Sequence, residues 1–272
     1  MPGYRWGMTT STKSGRDQVE KALELAGRYN VPYVPREHLS LSHLKADRGL
    51  DYLLTLDRDC HLFMEEPPLH WHPSMAIPRL RQIAAGKPDI FLTAAGLTSG
   101  QQVLDCTLGL AADALVAAWA VGEEGKVLGL EASPIIAAIT DWGLRRETPQ
   151  FDSKKTPLVA IARRISVLSA EALDYLRCQE ADSWDVVYFD PMFRAANHQS
   201  SSINSLRPVA CYAPFNQQVL TEALRVCRRQ VILKERWFSP LFKKLEVTRL
   251  EKTKYGPVAY GIWEKKGIAH DK

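Results

Sequence analysis

Asp190-Pro191-Met192-Phe193 closes an apolar run, Val186-Val187-Tyr188-Phe189, and a long polar stretch follows. An acid, a proline and an aromatic ring delivered to a strand's carboxyl end stand where an open sheet binds its ligands, and together they can grip an amine. The exocyclic amines of nucleic-acid bases are weak nucleophiles because their lone pair is delocalised into the ring. The Asp190 carboxylate can accept one N–H, and the Pro191 carbonyl, set by the ring's fixed φ, can accept the other. The nitrogen then becomes more tetrahedral as it attacks. Phe193 offers a face for a base to stack on, worth ~1–3 kcal/mol, and Met192 backs the pocket. Beyond that, catalysis rests on proximity and in-line alignment. A duplex hides such an amine, so the substrate must present an unpaired or flipped nucleotide. The Ser- and Asn-rich loop 194–214 reads as a substrate gate, with Arg194, His198 and Arg207 as phosphate contacts. Lys234 and Arg236, after a later strand, face the same substrate. Asp190, Pro191 and Phe193 are the expected catalytic residues, and Met192, Arg194, Arg207 and Lys234 the expected substrate contacts.

A second turn, "DCTLGLAAD" (105–113), sits where a nucleotide-binding sheet holds its cofactor. Dinucleotides need G-x-G-x-x-G so that pyrophosphate can approach bare backbone. Gly109 stands here alone, and no Lys-Ser/Thr pair makes a phosphate loop. S-adenosylmethionine (SAM) carries no phosphate, has a sulfonium cation, and needs one tight glycine turn. Asp105, ending the first strand of the pattern, suits the ligand's ammonium and positive sulfur. Glu131, ending the next strand, is placed to accept both ribose hydroxyls, as the acidic ribose ligand of dinucleotide folds does. Glu171, after the third strand, is positioned to accept from the adenine amino group.

Alternating elements position these residues. "QVLDCTLG" reads as a buried strand ending at Gly109, and "AADALVAAWAVG" as a helix closed by Gly122. "GKVLGLEA" is the next strand, followed by a helix with Ser133 as N-cap and Pro134 at its first position. Strand "ISVLSA", helix "EALDYLRCQE", strand "DVVYFDP", helix "NQQVLTEALRVCRR" and strand "QVILKER" continue the pattern. This alternation predicts a parallel, doubly wound α/β sheet covered on both faces. The last strands, "KLEVTRLEK" and "AYGIWEKK", lack an intervening helix and form an antiparallel edge hairpin. Residues 1–72 read as a small α+β unit whose helix places Val19, Ala22, Leu23 and Ala26 on one face. Residues 73–99 form a connecting helix, from about 74 to 85, and a linker. Residues 100–272 form the larger domain.

The 272 residues are 46% hydrophobic and 24% charged, an ordinary globular balance. A net charge of +4 permits a polyanionic partner without demanding one. The five cysteines form no CxxC pair and no Cys/His cluster, which argues for reduced thiols and against zinc. His70-x-His72 lacks a nearby third ligand, and no metal is expected. No apolar leader and no membrane-length stretch is present in the sequence. The expectation is a cytoplasmic protein without membrane contact.

"VLDCTLGLAADA", "EASPIIAAITDWGLRRE" and "VVYFDPMF" resemble the corresponding segments of the ribosomal small-subunit RNA methyltransferase J family and its bacterial relatives. That family comprises class I SAM-dependent methyltransferases acting on guanine N2. The resemblance covers about 100–195, with "HWHPSMAIPRL" matching more loosely. It implies a Rossmann-like class I methyltransferase sheet, SAM as cofactor, and RNA of the small ribosomal subunit as partner; the alternatives are an adenine or cytosine amine in DNA or other RNA, or SAM binding without turnover. It also implies SAM contacts from Asp105, Gly109, Asp113, Glu131, Ala132 and Glu171, with Thr107 and Asp190 beside them, and a contribution from His72 to Met75. The chain departs from the family at Arg194, where a proline is usual. It departs again in "LGLAAD", which lacks a second glycine or an arginine before the Asp.

Overall fold

The computed structural model describes residues 3–64, 68–73, 76–146, 158–191, 206–253 and 256–265. The first strand, β1 (Trp6–Thr10), pairs in parallel with β2 (Tyr52–Leu56), and β3 (Cys60–Leu62) and β4 (Leu69–His70) extend this sheet antiparallel. Helix α1 (Arg16–Arg28) makes the crossover and buries Ala22, Leu25 and Ala26. Leu23 is instead exposed, so the buried stripe lies one step away from the expected one. A short α2 (Leu41–Asp47) begins at Ser40, whose hydroxyl accepts from His43 N–H.

Two helices follow, α3 (Ala76–Ala84) and α4 (Ile90–Ala95), the second capped by Asp89. The larger sheet contains β5 (Gln102–Asp105), β6 (Lys126–Glu131), β7 (Ile165–Ser169), β8 (Trp184–Phe189), β9 (Cys227–Arg236), β10 (Arg249–Lys252) and β11 (Val258–Glu264). Its order is β10-β11-β9-β8-β5-β6-β7. The strands from β5 to β9 pair in parallel, and β11 is antiparallel to both of its neighbours. The expected terminal hairpin is present, with its second strand inserted between β9 and β10.

Helices α5 (Ala112–Val121), α6 (Pro134–Arg145), α7 (Leu158–Ala162), α8 (Ala172–Arg177), α9 (Gln217–Val226) and α10 (Pro240–Lys244) cover the two faces. The pleat of β8 divides the core: Val186 and Tyr188 join one cluster, Val187 and Phe189 the other. The first cluster is continuous with the small sheet, through Trp6, Met8, Leu54 and Trp71. This is why α6 carries a glycine. A Cβ on Gly143 would lie 2.2 Å from the Trp71 ring, so only a bare backbone lets the small sheet pack this closely. Arg28 Nη1 reaches across to Asp141 at 2.6 Å, tying α1 to α6.

The strand order reverses at β5, with β6 on one side and β8 on the other. Ligands of open α/β sheets bind at such a switch point, outside the carboxyl ends of the strands. Asp105, Glu131 and Asp190 all stand at that edge.

Candidate active site

The strand β5 stops at Asp105, earlier than expected, and 106–111 form the turn that leads into α5. Gly109 adopts φ +52° and Ala111 φ +64° just before α5. At Gly109 a Cβ would meet nothing within 4 Å, so the glycine is there for its backbone conformation and leaves open space beside it. Three bonds fix the turn: Gly109 N–H donates to Glu131 Oε2 at 2.9 Å, Thr140 Oγ1 to Gly109 O at 2.7 Å, and Trp71 Nε1 to Leu110 O at 3.0 Å.

Glu131 is buried and held by backbone. Its Oε1 accepts from Ser133 N–H at 2.8 Å while Oε2 takes the Gly109 bond. Burial raises its pKa, and the N–H groups of Ser133, Gly109 and Ala132 oppose that rise by stabilising the carboxylate. A carboxylate has about four lone-pair positions, so Glu131 keeps acceptor capacity for a ligand hydroxyl beyond its backbone donors. Tyr4, from the small sheet's approach, places its hydroxyl 3.2 Å from Ser133 Oγ. Glu171 caps α8, where Oε2 accepts from Asp174 N–H at 3.0 Å. The structure therefore brings Asp105 and Thr107, bonded to each other, and Gly109, bonded to Glu131 with Ala132 beside it, to one edge of the sheet, with Glu171 after the next strand.

Asp105 is almost completely buried and accepts from Thr107 N–H at 3.0 Å. Among the described residues no cationic side chain pairs with it. Burial, reinforced by the nearby Asp113, Asp190 and Glu131 and opposed by the Thr107 bond, pushes its pKa up to about 8. A buried carboxyl without a cation fits a ligand that brings its own positive charge, as the sulfonium and ammonium of SAM do. The donor set thus fits this cofactor.

Asp190 is tied to the same turn. Its N–H donates to Thr107 Oγ1 at 2.5 Å, which docks the end of β8 against the end of β5. Its Oδ2 accepts from Lys234 Nζ at 2.6 Å. The same ammonium donates to Asp113 Oδ2 at 3.1 Å, so Lys234 bridges two carboxylates. It does not reach outward into solvent. Asp113 also accepts from Tyr188 Oη at 2.8 Å and from Arg79 Nη1. Arg79 in turn grips Asp89 with both remaining nitrogens, at 2.8 and 2.9 Å.

The two linked acids respond differently. For Asp113, burial raises the pKa, but Lys234 and Arg79 outweigh it and hold the carboxylate below its ordinary range. For Asp190, burial dominates and Lys234 only partly compensates, leaving it up at about 6. Lys234 keeps its proton firmly, because the two carboxylates overcome its burial.

Arg79, Tyr188, Tyr4 and Tyr260, which lies opposite Lys234 in the β9–β11 ladder, line the candidate site without having been disclosed by the sequence. Arg79 lies in the stretch expected to be a connecting helix, and Tyr188 in an apolar strand. Phe91 of α4 supports them, 4.7 Å from the Tyr188 ring and 6.0 Å from the Tyr260 ring. Pro191 follows Asp190 at the strand end, partly exposed. Met192, Phe193, Arg194 and His198 lie outside the described residues, as do Ser74 and Met75. Arg207 is partly buried in the described end of the expected loop, residues 206–214.

Comparisons with known proteins show the family. The family profile described as "Putative SAM-dependent methyltransferase" matches residues 72–256. The uncharacterized protein YpiP of Bacillus subtilis is 33% identical over 238 residues, covering 87% of this chain and 91% of its own. Ribosomal RNA small subunit methyltransferase J of Ectopseudomonas mendocina is 30% identical over 162 residues, 57% of this chain and 58% of that protein. The protein of the same name from Vibrio vulnificus is 30% identical over 173 residues, 58% of this chain and 63% of its own. The match thus spans little more than half the length of these two relatives. In fold, the chain resembles a SAM-dependent methyltransferase from Neisseria gonorrhoeae, with a TM-score of 0.63 at 16% identity and 97% of both chains covered. The chain belongs to the SAM-dependent methyltransferase family, and its methyl donor is SAM.

Proposed function

We propose that the protein methylates an exocyclic base amine, guanine N2 in small-subunit ribosomal RNA. The observation that supports the reading is the docking of the Asp190 N–H onto Thr107, which sets the end of β8 beside the Gly109 turn. The names of the relatives from Ectopseudomonas and Vibrio support ribosomal RNA as the acceptor.

Each residue then has a task. Asp105 faces the positive end of SAM, Glu131 accepts the ribose hydroxyls, and Glu171 accepts from the adenine amine. The Gly109 turn leaves room for the ligand, with Ala132 beside it. SAM supplies the electrophilic methyl. Asp190 and the Pro191 carbonyl accept the two N–H groups, and Phe193, Met192, Arg194 and Arg207 complete the substrate contacts. Lys234, Asp113 and Arg79 position Asp190 from behind. We further assign 1–72 to a small α+β domain, 73–99 to a connection and 100–272 to the methyltransferase domain, in a cytoplasmic protein that needs no metal.

Labelled SAM offered with isolated small subunits, naked total RNA and DNA in parallel tests the proposal. Label entering ribosomal RNA is expected. Label entering DNA alone, or no acceptor at all, would overturn it.

A further inference from the structure

Beyond Lys234, β9 carries an aromatic pair to the rim of the site. Arg236 ends the strand, and Trp237 and Phe238 follow it in a turn. At ~3.3 Å per residue, Trp237 stands roughly 10 Å further along the strand direction than Lys234. The pair is exposed, 49% for Trp237 and 58% for Phe238. The other exposed large apolar side chains among the described residues are Leu23, Leu39, Leu168 and Tyr212, and none is a sequence neighbour of another. Isolated exposures of that kind need no explanation, whereas adjacent rings beside a ligand edge do.

The turn presents these rings rigidly. Trp237 N–H donates to Pro257 O at 2.8 Å, extending the β9–β11 ladder, and Ser239 N–H donates to Arg236 O at 2.8 Å. Ser239 Oγ then caps α10. The rings meet edge to face, centroids 5.4 Å apart. A cation lies over each: Arg236 is 6.0 Å from the Phe238 centroid and Lys252 5.1 Å from that of Trp237. Lys252 ends β10, which runs parallel to β9, so both cations belong to the carboxyl edge that holds Asp190. Lys243 and Lys244 add positive charge in the last turn of α10.

We propose that Trp237 and Phe238, with Arg236 and Lys252, form a stacking platform for the single-stranded nucleic acid flanking the target base. Rings that stack bases, interleaved with cations that meet phosphates, are the two contacts a single strand makes. A protein partner explains the rings but has no need of a cation over each one. The platform rests on the proposed RNA reading and assigns it a surface: the target nucleotide enters at Asp190 while a neighbour stacks at Trp237.

The test is fluorescence anisotropy of a fluorescein-labelled single-stranded oligouridine with the full chain. Trp237→Ala/Phe238→Ala is expected to weaken binding ~10–100-fold, at ~1–3 kcal/mol per stacked base. SAM affinity and the thermal midpoint should stay unchanged, because both rings are exposed. Trp237→Phe/Phe238→Tyr should restore binding, and Lys252→Gln should flatten the salt dependence by about 0.7 in log–log slope. Equal RNA affinity in wild type and the double alanine variant would overturn the platform. So would wild-type self-association that the variant loses while RNA affinity is kept, since the rings would then serve a second copy of the chain. If the wild type methylates RNA while either of those results holds, only the platform falls. If the wild type methylates no RNA, the function reading falls first.

Discussion

Glu131 and Asp113 are both buried acids beside the glycine turn, yet they are held by different means. Glu131 is satisfied by backbone N–H groups of the turn and of the next helix, with Gly109 only 22 positions away. Asp113 is satisfied by side chains 34, 75 and 121 positions distant: Arg79, Tyr188 and Lys234. Backbone donors keep their geometry whatever side chains surround them, so Glu131 itself is held by the local chain path, while the side chains of Thr140 and Trp71 tie down the turn beside it. The amine half exists only once the sheet and α3 have assembled. The hold on Glu131 is therefore set by backbone. The other is a charge network in which each member depends on the rest.

The sharpest separation is expected at Asp190. Asp190→Asn should lower methyl transfer on the order of 10²–10⁴-fold, the usual weight of a positioned acid–base group. Calorimetry should find SAM affinity nearly unaltered. In the wild type, the carboxylate must be ionised to accept an N–H, so the rate should climb as pH rises through about 6. Lys234→Met leaves the buried Asp113 and the part-buried Asp190 without their shared cation, and a loss of ~3–5 kcal/mol in urea melts is expected. Asp113→Asn in the same chain should recover part of that loss. Strict additivity of the two changes would mean that the network is not coupled.

The cofactor half should respond only in binding. Glu131→Ala removes charged acceptors worth ~1.5–3 kcal/mol each, so SAM should bind about 10–100-fold more weakly by calorimetry. Asp105 gives a subtler signature. Its folded pKa of about 8 lies above the ordinary 3.8, so its contribution to stability is full below the ordinary value and is lost as pH rises through about 8. A cationic ligand reverses the balance. SAM binding at neutral pH should release a fraction of a proton, measured as a dependence of the binding heat on buffer ionisation enthalpy, and Asp105→Asn should abolish that dependence. The smallest effect is expected at Gly109→Ala, where a Cβ has space but φ is +52°: about 1 kcal/mol lost in thermal melts.

The sheet, its doubly wound order and the edge hairpin were legible because apolar runs alternating with amphipathic stretches leave few other folds. Asp105, Gly109 and Glu131 were legible for the same local reason, since each ends or follows a strand. Arg79 was not, because its partners are set by how α3 crosses α5, and nothing in "AIPRLRQIA" marks one arginine over another. Tyr188 was hidden inside an apolar strand, where its hydroxyl only matters once Asp113 is opposite. Lys234 was legible as a site residue, but its inward ion pairs required the register that places it level with Asp190. The strand ending at Asp105 rather than Gly109 shows the turn chemistry overriding a run of β-compatible residues.

The central claim is that Asp190 and the Pro191 carbonyl grip a base amine beside the cofactor turn. Nucleoside mass spectrometry of small-subunit RNA after reaction with labelled SAM tests it at the level of the atom. A methyl on an exocyclic base nitrogen, N2-methylguanosine, is the expected product. A methyl on a ribose oxygen or a ring carbon would contradict the account.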